Sequence, residues 1–211
     1  MHNNLYFRSY RLLYTMKEDS EYFAHETAVI DAGCRIGKGT KIWHFSHIMK
    51  DSVLGERCNI GQNVVVSPKV VLGENVKVQN NVSIYTGVIC EDEVFLGPSM
   101  VFTNITNPRS AVLRRDQYVE THVRKGASIG ANATIVCGNE IGKYALVGAG
   151  AVVVKEVAPY ALVVGNPSKQ IGWVSEYGHR LEFDSNNQAI CPESKEKYIF
   201  KNNSVTKLQE L

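Results

Sequence analysis

The residues of this chain best suited by type to do chemistry are a few histidines and a set of asparagines. His44 and His47 stand three apart, and His122 lies far downstream. Histidine can ligate zinc or act as a base. Two histidines three apart on an extended path do not point at one ion, so these three make a poor zinc set. Cys191-Pro192 is half of a metal-knuckle pattern with no second cysteine after it, so no metal is expected. Amides both donate and accept hydrogen bonds. Asn80 and Asn81 fall close together, with Tyr85 just beyond, and Asn104 follows a run of apolar residues. What these can do depends on where the backbone holds them.

The backbone is announced by a period of six. Ile30, Ile36, Ile42, Ile48, Leu54, Ile60, Val66, Leu72, Val78, Ile84, Cys90, Leu96 and Phe102 share one frame, which resumes at Val123, Ile129, Ile135, Ile141, Val147 and Val153. Neither a helix nor an alternating strand repeats this way. It is the mark of a parallel β-helix of hexapeptide repeats, with three hexads closing one 18-residue triangular coil. The residue two before each anchor is small or β-branched (Cys34, Thr40, Ser46, Ser52, Cys58, Val64) and shares the interior. Glycine often follows the anchor (Gly37, Gly55, Gly61, Gly73, Gly97) and is expected to tolerate a tight corner. Residues 18 apart then stack: His44, Gln62, Asn80 and Pro98 form one column, and Asn63, Asn81 and Ser99 the next. Asparagine ladders at β-helix corners are also ordinary structure, since Asn accepts turn geometry.

The frame breaks once. Val123 follows Phe102 by 21 residues where six are due, so residues 103–122 form a long loop with Asn104 at its root. Long loops on rigid scaffolds are usually functional. The expected organisation is an arm over residues 1–23, a β-helix domain over 24–167, and a C-terminal helix and tail over 168–211. Ser168 to Arg180 reads as a short amphipathic helix carrying Ile171, Trp173 and Val174, and the polar remainder as a loosely ordered cap. Residues 1–20 are aromatic and basic but too interrupted for a signal peptide; either Met16 starts the chain proper or the segment is an arm, and no function is assigned to it. A net charge of +2 without a basic stripe argues against nucleic acid. No apolar run approaches the roughly 18 residues of a membrane span. Five cysteines, three of them in inward slots, read as reduced, which makes the cytoplasm the default.

Trp43-His44-Phe45, Gly61-Gln62-Asn63-Val64, Gln79-Asn80-Asn81-Val82-Ser83, Gly97 through Asn104, Asn107-Pro108-Arg109, Gly126 through Asn132, Gly148 through Val153 and Val164-Gly165-Asn166-Pro167 together form a specific set. Over about residues 24 to 183 the chain resembles the bacterial nucleotide-sugar N-acetyltransferases of the left-handed β-helix superfamily. The likeness is strongest to enzymes that acetylate the 3-amino group of UDP-2-acetamido-3-amino-2,3-dideoxy-glucuronate for O-antigen synthesis. Enzymes acting on dTDP-3-amino-3,6-dideoxyhexoses share much of the set. The resemblance implies left-handed winding, against the usual crossover rule. It also implies a homotrimer with acetyl-CoA in the groove between neighbouring prisms.

On that resemblance, pantetheine bonds strand-edge backbone near Ala131, Ala149 and Gly150. Lys155 and Lys169 face the CoA phosphates, and Asn166 and Pro167 lie near the adenine. Asn80, Asn81, Tyr85 and Arg109 are nominated for the sugar nucleotide, since arginine clamps a diphosphate or a carboxylate in bidentate fashion. The reaction is acyl transfer from a thioester to a neutral amine. No histidine has a clear claim as base, so positioning is expected to supply much of the rate. Asn104 accepts a hydrogen bond from the amine and orients it, with the departing CoA sulfur as a destination for the proton. The rivals are an O-acetyltransferase, a γ-type carbonic anhydrase, or a non-catalytic scaffold on the same fold.

Overall fold

The hexads become two-residue strands because each anchor buries one side chain and its predecessor faces out. A computed structural model describes residues 21–208; of the expected arm over residues 1–23, residues 1–20 lie outside them, and Phe23 belongs to the first strand. Three parallel faces result. Face 1 runs from Phe23–Ala24 through Lys41–Ile42, Asn59–Ile60, Lys77–Val78, Phe95–Leu96, Ser128–Ile129 and Leu146–Val147 to Ala161–Val164. Face 2 runs from Val29–Ile30 to Val152–Val153 and face 3 from Arg35–Ile36 to Thr121–Val123, the latter continued by bridges from Val123 to Ile141 and Ile141 to Val157. Register is 18 residues per coil, as in Val65 beside Ser83 and Ser83 beside Val101. This is the expected parallel β-helix.

Two irregularities change the pitch of the sequence without changing that of the fold. Val101 pairs with Thr134, so the loop adds 15 residues to one coil. Val147 pairs with Val163, so the last coil is two residues short. The anchors fill the prism, with Ile42, Ile60, Ile84, Phe102, Ile129 and Val153 all fully buried. Polar inward slots are satisfied twice over. Ser46 Oγ donates to Gly61 C=O at 2.7 Å and accepts from Val64 N–H at 3.1 Å. Thr40 does the same with Gly55 C=O and Cys58 N–H. A buried hydroxyl therefore costs little here, because each loses no hydrogen bond on leaving water. Cys58 and Cys90 are buried thiols, Cys34 is half-buried, and all five cysteines are free.

The corners correct one expectation. The glycine after the anchor is not the turn residue. The left-handed residue comes three after the anchor, at Gly33, Gly39, Phe45, Asp51, Arg57, Asn63, Lys69, Asn75, Asn81, Glu93 and Ser99. For a non-glycine this conformation costs roughly 1–2 kcal/mol. Most of these corners are held by a coil-to-coil bond, as Asn81 N–H to Gln62 C=O at 2.9 Å. Glycine after the anchor answers a different need. A Cβ on Gly55 would stand 2.5 Å from the carbonyl oxygen of Gly73 in the coil above. Only a residue without Cβ lets neighbouring coils close to strand spacing there.

The C-terminal expectation is also corrected. Among the described residues no helix follows Asn166-Pro167. Lys169–Trp173 is a strand that turns back and pairs antiparallel with Ala161–Val164, covering the open edge of face 1. An uncovered edge would offer unpaired backbone to another chain. The tail is ordered rather than loose. Gln188–Ile190, Lys197–Lys201 and Ser204–Lys207 form an antiparallel sheet around Leu181, Ala189, Cys191, Tyr198 and Val205. It joins the prism through Tyr144 and Tyr160, stacked at 5.4 Å, and Tyr198 edge-on to Tyr160 at 6.0 Å.

Candidate functional site

The nominated residues fall on two of the three corners. The corner between faces 1 and 2 carries Asn80, Asn81, Ala131, Ala149, Gly150, Asn166 and Pro167. They form a true column: Ser99 N–H donates to Asn80 C=O, Asn132 N–H to Pro98 C=O, and Gly150 N–H to Ala131 C=O. Lys169 pairs with Val164 beside the top of that column. The corner between faces 2 and 3 carries Tyr85, the loop root at Asn104, and Lys155, which follows the face 2 strand Val152–Val153 by two residues. Arg109 is exposed within the loop and donates from Nη1 to Pro108 C=O at 2.8 Å. Asn80 and Tyr85 are five residues apart along one side of the prism, so their backbones are separated by roughly 15 Å. One protomer therefore does not bring the two sets together.

Along the first corner the side chains change character with height. Asn80 Oδ1 accepts Gln62 N–H at 2.9 Å, Asn63 donates to Asn81 Oδ1 at 3.2 Å, and Thr27 Oγ1 accepts Phe45 N–H at 3.0 Å. These asparagines serve the ladder, as their plain structural account says, while both remain exposed. Above the loop, Asn132 apart, the corner is small. Ala131, Ala149 and Gly150 leave it open, and a Cβ added to Gly150 would meet nothing within 4 Å. Among the described residues no chain acceptor takes the N–H of Ala131 or Ala149. These are features a thin, extended, amide-bearing ligand can use: floor space and free backbone donors.

The loop is anchored at both ends. Val119 N–H donates to Asn104 C=O at 3.0 Å, Thr121 N–H to Gly87 C=O, and Cys137 N–H to Thr103 Oγ1. Asn104 is thus fixed by its backbone while its side-chain amide makes no bond to the chain among the described residues. Two of the three candidate histidines have carboxylate partners that sequence reading missed. His47 Nε2 and Asp31 Oδ1 are 2.9 Å apart, and this hydrogen bond holds the Asp31 carboxyl below its ordinary range. The pair lies three coils below the loop, roughly 14 Å away. His122 Nε2 is 3.3 Å from Glu120 Oε2, at the loop's far end. His44 stacks on His25 at 3.5 Å. Among the described residues no three His, Cys, Asp or Glu side chains group as a metal site. Among the described residues no helix is long and apolar enough to cross a membrane.

Comparison with known proteins fits these features to a family. Residues 33–68 match the bacterial transferase hexapeptide (six repeats), and residues 53–86 and 125–155 match the hexapeptide repeat of succinyl-transferase. The chain is 43% identical over 186 residues to a dTDP-3-amino-3,6-dideoxy-alpha-D-galactopyranose 3-N-acetyltransferase of Aneurinibacillus thermoaerophilus, covering 88% of this chain and 95% of that protein. The bifunctional protein GlmU of Thermotoga maritima is 27% identical over 157 residues, covering 70% of this chain and 35% of GlmU. In fold, the chain matches a UDP-N-acetylglucosamine acyltransferase from Bacteroides fragilis 9343 with a TM-score of 0.62 at 18% identity, over 72% of this chain and 61% of the other.

Proposed function

The chain belongs to the hexapeptide-repeat sugar N-acetyltransferases, and from that premise we propose that it moves the acetyl group of acetyl-CoA to the 3-amino group of a dTDP-linked 3-amino-3,6-dideoxyhexose. The observation that carries this reading is the 43% identity to a 3-N-acetyltransferase of that acceptor class over nearly the whole chain. The UDP-2-acetamido-3-amino-2,3-dideoxy-glucuronate that the motifs suggested becomes the second acceptor, favoured by the motif set alone. The setting is surface polysaccharide biosynthesis in the cytoplasm.

The residues present suit acetyl-CoA, which when bound supplies an activated acetyl thioester. The uncapped N–H groups of Ala131 and Ala149 and the open space at Gly150 accommodate an extended pantetheine, with Asn166, Pro167 and Lys169 beyond it. Asn104 holds the acceptor amine: its side-chain oxygen takes one N–H of the neutral amine and fixes the lone pair toward the donor. Positioning of this kind can be worth several orders of magnitude. Tyr85 lies one coil below the loop root on the same corner, and Arg109 lies within the loop that starts there. Asn80 and Asn81 bind sugar only from the other corner.

That division calls for a homotrimer. Two corners separated by roughly 15 Å in one protomer meet when the first corner of one prism packs beside the second corner of the next. Exposed Val29 (55%) and Val101 (44%) make face 2 an apolar surface suited to such packing. In the test, the protein is mixed with acetyl-CoA and each amino-sugar nucleotide, and free thiol is followed. Rapid release with the dTDP-3-amino sugar and slow release with the UDP-uronate is the expected result. Release with the UDP-uronate alone replaces the acceptor, and no release with either, despite acetyl-CoA binding, refutes the assignment.

A further inference from the structure

The loop folds into a cleft of its own. Internal turns, Val112 N–H to Arg109 C=O and Gln117 N–H to Arg114 C=O, curl residues 105–118 around a cavity of about 350 Å³. Ile105, Pro108, Val112 and Tyr118 give it apolar walls, and Arg109, Arg114 and Arg115 line it as well. The volume lies within the roughly 300–1,000 Å³ of small-molecule sites. No carboxylate lines it: Asp116 and Glu120 stand outside. Among the described residues none of the three arginines is in an ion pair. The Nε–H of Arg114 is buried and has no acceptor, while its Nη1 donates to Gln117 Oε1 at 3.0 Å.

A buried guanidinium donor without a partner costs free energy unless something fills the place. Three guanidinium forks around one cleft select a polyanion of matching spacing. We infer that this cleft is a clamp for the diphosphate of a nucleotide, with Arg114 as its inner donor, Arg109 and Arg115 as its outer ones, and the exposed ring of Tyr118 at its rim as a stacking surface. The inference deepens the proposed function and rests on its nucleotide-linked substrate; CoA also carries a diphosphate, so the test must separate the two sources.

The full chain is titrated calorimetrically with dTDP, CoA and inorganic pyrophosphate, for wild type and for Arg114→Gln, Arg114→Lys and Arg115→Gln. The expected result is dTDP binding that weakens about tenfold or more in Arg114→Gln, the worth of a charged hydrogen bond. Arg114→Lys should recover only part of it, because an ammonium lacks the planar fork. CoA affinity should hold, and an unchanged melting temperature shows that the variants are folded. Loss of CoA affinity with dTDP unaffected would keep the clamp and assign it to the coenzyme. Equal affinities for all three probes in wild type and variants, or no binding of any of them to wild type, overturns it. A protein that binds dTDP through these arginines yet releases no thiol would sink the acetyl-transfer reading and leave the clamp standing.

Discussion

Below the loop, the first corner of the prism is stitched from coil to coil by side chains; above the loop, the same corner in the same backbone register carries no side-chain bond between coils among the described residues, Asn132 included. Asn80, Asn81 and Thr27 spend their polar atoms on neighbouring backbone and amides. Ala131, Ala149 and Gly150 spend nothing. The difference teaches that this corner does not need its ladder. Corner backbone bonds such as Gly150 N–H to Ala131 C=O hold the turns in both regions. Asparagine below adds stability, whereas small residues above leave donors and space for something else.

The largest effect should come at the boundary between the two regions. Asn104→Ala should cut turnover by about 100-fold or more while acetyl-CoA still binds. His44→Ala, His47→Ala and His122→Ala should be milder, as steady-state rates would show. If His122→Ala alone abolishes turnover with acetyl-CoA bound, the Glu120-paired histidine is the base and the positioning account fails.

Next in size is a change that fills the bare corner. Ala149→Trp should weaken acetyl-CoA by about tenfold or more by occupying its floor space, whereas Asn80→Ala should leave acetyl-CoA affinity alone. Mixing Asn104→Ala with Ala149→Trp protein, at an acetyl-CoA concentration too low to load the latter and with subunit exchange, should restore part of the activity if neighbours share sites. Activity that never returns in exchanged mixtures would place both functions in one protomer.

Stability changes rank below these. Gly55→Ala drives a Cβ into the Gly73 carbonyl and should cost about 1–3 kcal/mol by urea denaturation. Asn80→Ala removes the acceptor for Gln62 N–H and should cost about 1 kcal/mol. Gly150→Ala meets no atom, so its cost is the left-handed turn alone, about 1 kcal/mol. Equal losses for Gly55→Ala and Gly150→Ala would remove the close-approach argument.

The smallest effect is a pH dependence confined to the C-terminal sheet. Lys207 Nζ lies 2.8 Å from Glu176 and 2.5 Å from Glu196. The hydrogen bond from Lys207 holds Glu196 below its ordinary value of 4.5. Its contribution is fully present above that value and fades as pH falls through the lowered one. Lys207 is raised by Glu176 and then Glu196, so its contribution is present below the ordinary 10.5 and fades as pH rises beyond it. Fluorescence of Trp173, which packs on Phe200 at 5.7 Å, should report an acid transition that Lys207→Met flattens.

What could be read from sequence was whatever the period of six enforces. Anchors must be apolar, so the coil and its 18-residue columns were legible. The turn three residues past the anchor was not, because Phe45, Asp51, Arg57 and Lys69 occupy it and share no chemistry. Ile171, Trp173 and Val174 mimic a helical stripe, yet the open edge of Ala161–Val164 recruits Lys169–Trp173 as a strand. The tail's few core residues, Leu181, Cys191, Tyr198 and Val205, are diluted among polar ones and gave no period. In the site, columns showed which residues stack but not that face 2 separates Asn80 from Tyr85. Arg114, Arg115 and Tyr118 were missed because a loop outside the repeat offers no register from which to infer a cleft.

The constant register has one more consequence. Because each coil adds one strand spacing, roughly 4.8 Å, and nothing between, the prism is a ruler graduated in whole steps. From Ala131 to Asn166 it measures two graduations. Natural drift cannot stretch that interval by fractions; only the gain or loss of an entire turn can, and such a variant would suit a coenzyme arm longer or shorter by that same quantum.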